Sequence, residues 1–312
     1  MVRPIDRWQQ EHRAPSFVFG VVKKYGDDRG GMLAALITFY GFLSLFPLLL
    51  VFVTVLGFVL SGNPSLQHSI ERSTLSQFPV VGNELIHGRL RGNGLALAVG
   101  ILGSLWGSLG VAGAVQFAFN EAWGVPNKDR PAFLPRIVQE VGFFALLGLG
   151  IVATQALTSL GSIVGNSEVV GAVGVLAALA VNLALFLGIF KLLGPSSVGW
   201  WDHLPGAVVA TVGWQALQLA GQYLVQRDLR NTTQLYGQFA LVLGLISFLS
   251  LASQLVLYAV EINAVRAKRM WPRSLIQPPL TDADRRSLAD RAVEEERRPE
   301  QRVAVSWSGH DG

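Results

Sequence analysis

The chain contains no cysteine. Disulfides, thiolate metal sites and thiol nucleophiles are therefore excluded. Charge is scarce as well. Asp, Glu, Lys and Arg make up 15% of the 312 residues, against about 25% in an ordinary globular domain. The five histidines (His12, His68, His87, His203 and His310) form no H-x-H or H-E-x-x-H pattern, so no zinc-hydrolase signature is present. A G-x-x-x-x-G-K-[ST] phosphate loop is also missing, and with it any visible ATPase engine. These absences predict a chain that is not an enzyme and that holds no metal or cofactor.

What is abundant is apolar sequence. Hydrophobic residues make up 51% of the chain and the mean hydropathy is +0.41. A helix needs about 20 mainly apolar residues to cross the hydrocarbon core. Six stretches qualify: 32–60, 95–119, 137–160, 169–193, 204–225 and 239–262. The first is too long for the h-region of a signal peptide and follows some thirty residues. The expected fold is all-α: a polytopic membrane protein with six transmembrane helices. The pI near 9.6 does not predict a nucleic-acid partner, because Lys and Arg cluster at segment ends, where topology explains them. With both termini inside, and the six basic residues of the distal tail set aside, fourteen basic residues fall on the cytoplasmic side and five outside. The positive-inside rule therefore favours N-in, C-in.

Three domains follow from this reading. Residues 1–31 form a cytoplasmic segment, in which 16–28 mixes Phe17, Val18, Val21 and Val22 with Lys23 and Lys24. That stretch fits either an interfacial amphipathic helix or a frayed start to the first span. Residues 32–265 form the membrane domain, with short amphipathic helices expected in the first external loop, 61–94. Residues 266–312, including "RAVEEERRPEQR", are rich in mixed charge and poor in aromatics, which predicts a disordered cytoplasmic tail.

Polar residues inside the spans are not scattered. In "LISFLSLASQLVLYAVEIN" (245–263), Ser247, Ser250, Gln254, Tyr258 and Glu261 fall within about 80° of helix arc. Gln215, Gln218, Gln222 and Gln226 form a second stripe. Ser44, Gln155 and Asn182 add polar groups from the first, third and fourth spans. Unpaired polar groups in hydrocarbon cost several kcal/mol, so these faces are expected to point into the bundle. Two readings stay open. One is a polar path between helices; the other is interhelical hydrogen bonding that holds the helices together. Leu245, Leu249, Ala252, Val256 and Ala259 line the opposite face of the last span, suited to lipid or apolar packing.

Three further features stand out. Gly100, Gly103, Gly107, Gly110 and Gly113 make a small-residue face that predicts close packing of the second span. Glu261 sits toward a helix C-terminus, where the dipole disfavours a carboxylate. Arg266 or another cytoplasmic cation is the expected neutralising partner, and a gating or substrate role stays open. His203, in "WWDHLPG", is expected to join Trp200 and Trp201 in the interfacial aromatic belt.

Four stretches together resemble the bacterial YihY/BrkB membrane-protein family: "AALITFYGFLSLFPLLL" (34–50), "FAFNEAWGVPNKDRPAF" (117–133), "LPGAVVATVGWQALQ" (204–218) and "YGQFALVLGL" with "VEINAV" (236–265). The resemblance covers about residues 17–265. The matching motif positions are Ser44, Pro47, Asn120, Trp123, Pro126, Arg130, Pro131, Pro205, Gly206, Tyr236, Gly237, Glu261 and Asn263. The resemblance implies six spans in the bacterial cytoplasmic membrane. It also brings two family labels, virulence or serum resistance and an older ribonuclease BN designation. The expected function is movement or export of a solute or lipid through an intramembrane polar groove, with the bilayer as the constant partner. The alternatives are a non-transporting scaffold in envelope organisation and, last, a ribonuclease.

The charge bias yields a direct test of topology in this naturally cysteine-free chain. A single Gln67→Cys or Thr232→Cys variant should react with a membrane-impermeant thiol reagent in intact cells. Asn127→Cys should react only after the membrane is opened, and the reverse pattern would invert the topology.

Overall fold

The computed structural model describes residues 2–60, 94–164, 168–228 and 234–307, and every regular element among them is helical. In chain order the elements are α1 (Val2–Glu11), α2 (Arg13–Asp27), α3 (Gly30–Leu60), α4 (Gly94–Ala122), α5 (Phe133–Val164), α6 (Glu168–Leu193), α7 (Trp200–Asp228), α8 (Gln234–Lys268) and α9 (Asp282–Glu294). Among the described residues three stretches, Phe133–Gly150, Val173–Leu193 and Val242–Lys268, are long and apolar enough to cross a membrane. A shorter apolar helical stretch covers Gly30–Leu45. The amphipathic helices expected in the first external loop lie outside the described residues.

The chain divides into two compact units. One comprises Met1–Ala34, Val115–Ala216 and Ala252–Gly312; the other comprises Ala35–Ala114 and Leu217–Leu251. In the second unit, α3 and α4 approach closely along the glycine face. A Cβ on Gly107 would lie 3.0 Å from the Ser44 Cα, and one on Gly110 would lie 2.5 Å from the Tyr40 ring. Only a residue without a side chain fits against that ring, as close helix packing in lipid requires.

The first unit is built around helix ends. Helices α5 and α6 pack along each other, with Leu192 and Leu185 of α6 seated over Gly142 and Gly150 of α5. Phe119 at the end of α4 meets Phe190 of α6 with ring centroids 5.7 Å apart. Helix α2 lays Val21 on Val265 and Met270 at the end of α8, with Phe17, Tyr258, Ile262 and Trp271 around them. The tightest approach joins α7 to α8. Pro205 lacks an N–H and crowds the turn before it, and the next amide, Gly206 N, donates to Asn263 Oδ1 at 2.7 Å. A Cβ on Gly206 would fall 2.1 Å from the Ala259 carbonyl oxygen, so only glycine allows this contact. Ala259, on the face expected to suit lipid or apolar packing, is fully buried here.

Two expectations need correction. The tail is not disordered over its described part. Thr281 caps α9 and exchanges side-chain and backbone hydrogen bonds with Asp284 in a capping box, the arrangement that satisfies orphan amides at a helix start. Asp284 and Arg273 are buried. A mixed-charge segment reads as solvated when its charges are merely counted, but these charges have fixed partners. His203 is also displaced from its expected place. It is fully buried while Trp200 and Trp201 are 57% and 80% exposed. Its ring meets the edge of Trp123 at 5.4 Å, because the α7 register that puts both tryptophans outside turns residue 203 inward.

Candidate functional site

The buried charge of the first unit gathers where α2, α4 and α8 meet. On α2 the inward residues are Ser16, Gly20, Val21 and Lys24, which share one face at helical spacing. Three of them are small or apolar, and the fourth carries an ammonium group into the protein. Lys24 Nζ lies 3.1 Å from Glu261 Oε2, and both side chains are almost wholly buried. It also pairs with Asp28 one helical turn later and donates to the Ala122 carbonyl at 2.7 Å. That carbonyl is one of the last in α4, where helix geometry leaves acceptors unpaired. Burial alone would lower the Lys24 ammonium, but the carboxylates of Glu261 and Asp28 reverse this and hold it above the usual lysine range. The partner of Glu261 is thus a cation from the N-terminal segment, not the exposed Arg266.

An aromatic pair lies beside the charges. The rings of Tyr25 and Tyr258 stack with centroids 4.0 Å apart and planes 12° from parallel. The Tyr25 hydroxyl is pushed above its ordinary value by burial and by the neighbouring Tyr258 and Glu261, so it remains a neutral donor. The last polar residues of the α8 stripe, Gln254, Tyr258 and Glu261, therefore run from half-buried to fully buried, and the stripe ends on Lys24 and Tyr25.

The loop after α4 frames this cluster. Trp123 is buried, and its carbonyl accepts a hydrogen bond from Lys268 Nζ at 2.5 Å. Asn120 O accepts from Val125 N at 2.9 Å. Gly124 takes a positive φ of +57°, and a side chain there would collide with Asp290, Lys268 and Glu294. Arg130 pairs with Glu121 at 2.7 Å, donates to the Val125 carbonyl at 3.2 Å and lies over the Phe117 ring.

The C-terminal segment ties the N-terminal helices to this frame. Asp284 accepts from Lys23 Nζ and Arg273 Nε, each at 2.9 Å, and from Ser274 N at 3.0 Å. Arg273 also pairs with Asp27 at 2.7 Å. Burial works against the Asp284 carboxylate, but the Ser274 amide and the Lys23, Arg273 and Thr281 donors hold it well below the usual range. The stabilisation it gives is complete above the ordinary carboxylate pKa and is lost only in strong acid. At the other end of α9, Lys268 pairs with Asp290 at 2.5 Å and Lys128 with Glu296 at 2.6 Å. Burial, then Glu121 and Asp28, push the Glu294 carboxyl up to about 8. Its preference for the neutral form favours docking in acid, and that benefit fades as pH rises from 4.5 to about 8.

The other stripe positions are placed less centrally. Ser44 donates to the Gly41 carbonyl of its own helix at 2.8 Å. Ser250 and Gln254 are half-buried and have interaction partners. Asn182 and Gln215 are half-buried, whereas Gln218 and Ser247 are exposed. The side chains of Gln155, Gln222, Pro47, Tyr236 and Gly237 lie outside the described residues. Among the motif positions, Gly206 and Asn263 are in direct contact, and Glu261 is joined through Lys24 to the carbonyl of Ala122, the residue before Trp123. Lys24 was missed by motif reading; the signal for it was the unmatched carboxylate of Glu261. Among the described residues no three His, Cys, Asp or Glu side chains are grouped to hold a metal ion.

Removing one partner of a buried ion pair strands the other, at about 3–5 kcal/mol. Lys24→Met should strand both Glu261 and Asp28 and lower thermal stability in detergent by about that amount. Glu261→Gln leaves Lys24 paired with Asp28 and should cost much less. The double variant should be more stable than Lys24→Met alone, and simple additivity of the two losses would contradict the pairing.

Comparisons with known proteins place the chain among membrane proteins. The chain is 25% identical over 272 residues to YfkH of Bacillus subtilis, a protein with a ribonuclease-like label, covering 81% of this chain and 96% of that one. It is 22% identical to the inner membrane protein YhjD of Escherichia coli, over 80% and 81% of the two chains. A UPF0761 membrane protein of Psychrobacter is 24% identical over 81% of this chain and 48% of its own length. No solved structure matches. The family model described as virulence factor BrkB matches residues 21–283, a span that takes in the second half of α2, the Lys24–Glu261 pair, α8 and the start of α9, and the chain is a membrane protein belonging to that BrkB family.

Proposed function

We propose that this protein moves a solute or lipid across the bacterial cytoplasmic membrane along a polar face of its bundle, and that α2 closes the cytoplasmic end of that route. In this reading the chain crosses six times with both termini inside, and it performs no catalytic step. Helices α3, α4 and α7, of 31, 29 and 29 residues, are each long enough at about 1.5 Å per residue to cross a bilayer. In this reading they supply the other three spans. The name of the Escherichia coli relative, an inner membrane protein, supports the location.

One observation carries the reading. A polar stripe that served only as glue between helices has no need of a buried charge at its end. Here Gln254 and Tyr258 lead to Glu261, which is closed by Lys24 and flanked by the Tyr25–Tyr258 stack. A charged and aromatic closure opens by exchanging partners with water or a polar cargo, whereas a packed apolar plug offers neither.

The test compares envelope lipid and small-solute contents of cells lacking the protein, expressing it, or expressing Gln254→Leu at equal level. Leu has similar size, and interhelical hydrogen bonds in membranes average only about 0.6 kcal/mol, so folding should survive. The native protein should change the abundance of at least one component, and Gln254→Leu should not. Full activity of a destabilised Gln254→Leu protein would make the stripe glue and favour the scaffold reading. RNA cleavage that survives stringent purification and vanishes in Glu261→Gln would replace transport with the ribonuclease reading.

A further inference from the structure

Helices α1 and α2 each turn polar residues inward while leaving large apolar ones outside. On α1, Asp6 and Gln9 face the protein: Asp6 Oδ1 accepts from Leu275 N at 2.9 Å, and Gln9 Nε2 donates to the Arg273 carbonyl at 2.6 Å. On α2, Lys23 and Lys24 are drawn inward to Asp284 and Glu261. Val21 and Phe17 pack inward, but four other large apolar residues are left outside, with Ile5 58%, Trp8 54%, Val18 60% and Val22 50% exposed. A helix facing only water gains by the opposite arrangement, because burying apolar surface is the dominant favourable term in folding.

Position and charge identify what covers this surface. Val21 of α2 packs against Val265 and Met270, at the C-terminal end of the span-length stretch Val242–Lys268. That puts α2 at the depth where a span leaves the hydrocarbon for the headgroups. Trp8, ringed against His12 at 4.7 Å, is the residue type enriched at that depth. Arg3, Arg7 and Arg13 are exposed on the same two helices, and none has an ion-pair partner among the described residues. The acidic side chains there are mostly engaged: Asp6 is buried, Asp28 is held by Lys24 and Asp27 by Arg273, leaving Glu11 exposed. Apolar anchors beside unpaired arginines are what an anionic lipid surface binds.

We propose that α1 and α2 form an interfacial anchor, with Ile5, Trp8, Val18 and Val22 among the acyl chains and Arg3, Arg7 and Arg13 on the phosphates of anionic phospholipids. The hydrogen bonds of Asp6 and Gln9 to the C-terminal segment then make the anchor continuous with the structure that holds α2 against Glu261. Anionic lipid therefore bears on the Lys24–Glu261 pair without touching it. The proposal requires only that the chain is a membrane protein, so it stands or falls separately from transport.

The experiment uses the full chain, spin-labelled through Ile5→Cys or Val18→Cys and reconstituted in phosphatidylcholine vesicles with or without phosphatidylglycerol. A nickel chelate on both sides of the bilayer reports water, and dissolved oxygen reports acyl chains. With phosphatidylglycerol present, both labels should lose collisions with the chelate and gain them with oxygen, while a label at Glu11→Cys stays in water. The shift should shrink in pure phosphatidylcholine and in the Arg3→Gln/Arg7→Gln/Arg13→Gln variant. Water access in both lipids, equal depth in both, or label–label broadening that shows a second copy on this face would overturn the proposal.

Discussion

A carboxylate near the C-terminal end of a long apolar helix meets two penalties at once. It gives up water, and it sits at the negative end of the helix dipole. Glu261 bears both, and it is 2% exposed. It is tolerated because Lys24 reaches it from a helix some 240 residues earlier in the chain, with Asp28 and the Ala122 carbonyl completing the ammonium's surroundings. Much of the rest of the first unit serves that pair. Gly20 lets α2 approach Met270 and Trp271, and Gly206 lets α7 approach α8 two residues before Glu261 on the chain. Helix α4 has to end where its last carbonyls face Lys24.

The C-terminal segment makes this arrangement cooperative. Asp284 gathers Lys23, Arg273 and the Ser274 amide, and Arg273 passes the connection to Asp27. Lys23 and Lys24 are adjacent in sequence yet answer to different carboxylates, one in the tail and one in the span. Undocking the tail would thus loosen α2 beside the residue that neutralises Glu261. The opposite displacements of Asp284 and Glu294 leave one end of α9 firm through neutral pH and the other sensitive to it.

The all-helical, membrane-embedded character was legible in the sequence, because spans announce themselves by apolar length. Helical spacing alone put Tyr258 and Glu261 on one face, and the glycines of α4 predicted close packing, which the structure has against Ser44 and Tyr40. Glu261 was legible as an anomaly that demanded a cation. Its partner was not, since nothing local distinguishes Lys24 from Lys23 or Arg266; only the tertiary fold decides which cation arrives. The tail was misread for a related reason. Counting charges treats each as solvated, and Asp284 and Arg273 become structural only when they find each other and the N-terminal helices. His203 shows the same limit, since its neighbours Trp200 and Trp201 do face outward while its own ring turns toward Trp123.

The central claim is that α2 closes the end of the α8 stripe through the Tyr25–Tyr258 and Lys24–Glu261 contacts. In the cysteine-free chain it can be tested by making Tyr25→Cys/Tyr258→Cys and treating native membranes with a short bifunctional thiol reagent. The account predicts efficient intramolecular crosslinking within one chain, with little in a Val22→Cys/Tyr258→Cys control whose first position faces outward. Absence of the Tyr25–Tyr258 crosslink, or equal crosslinking from Val22, would contradict it.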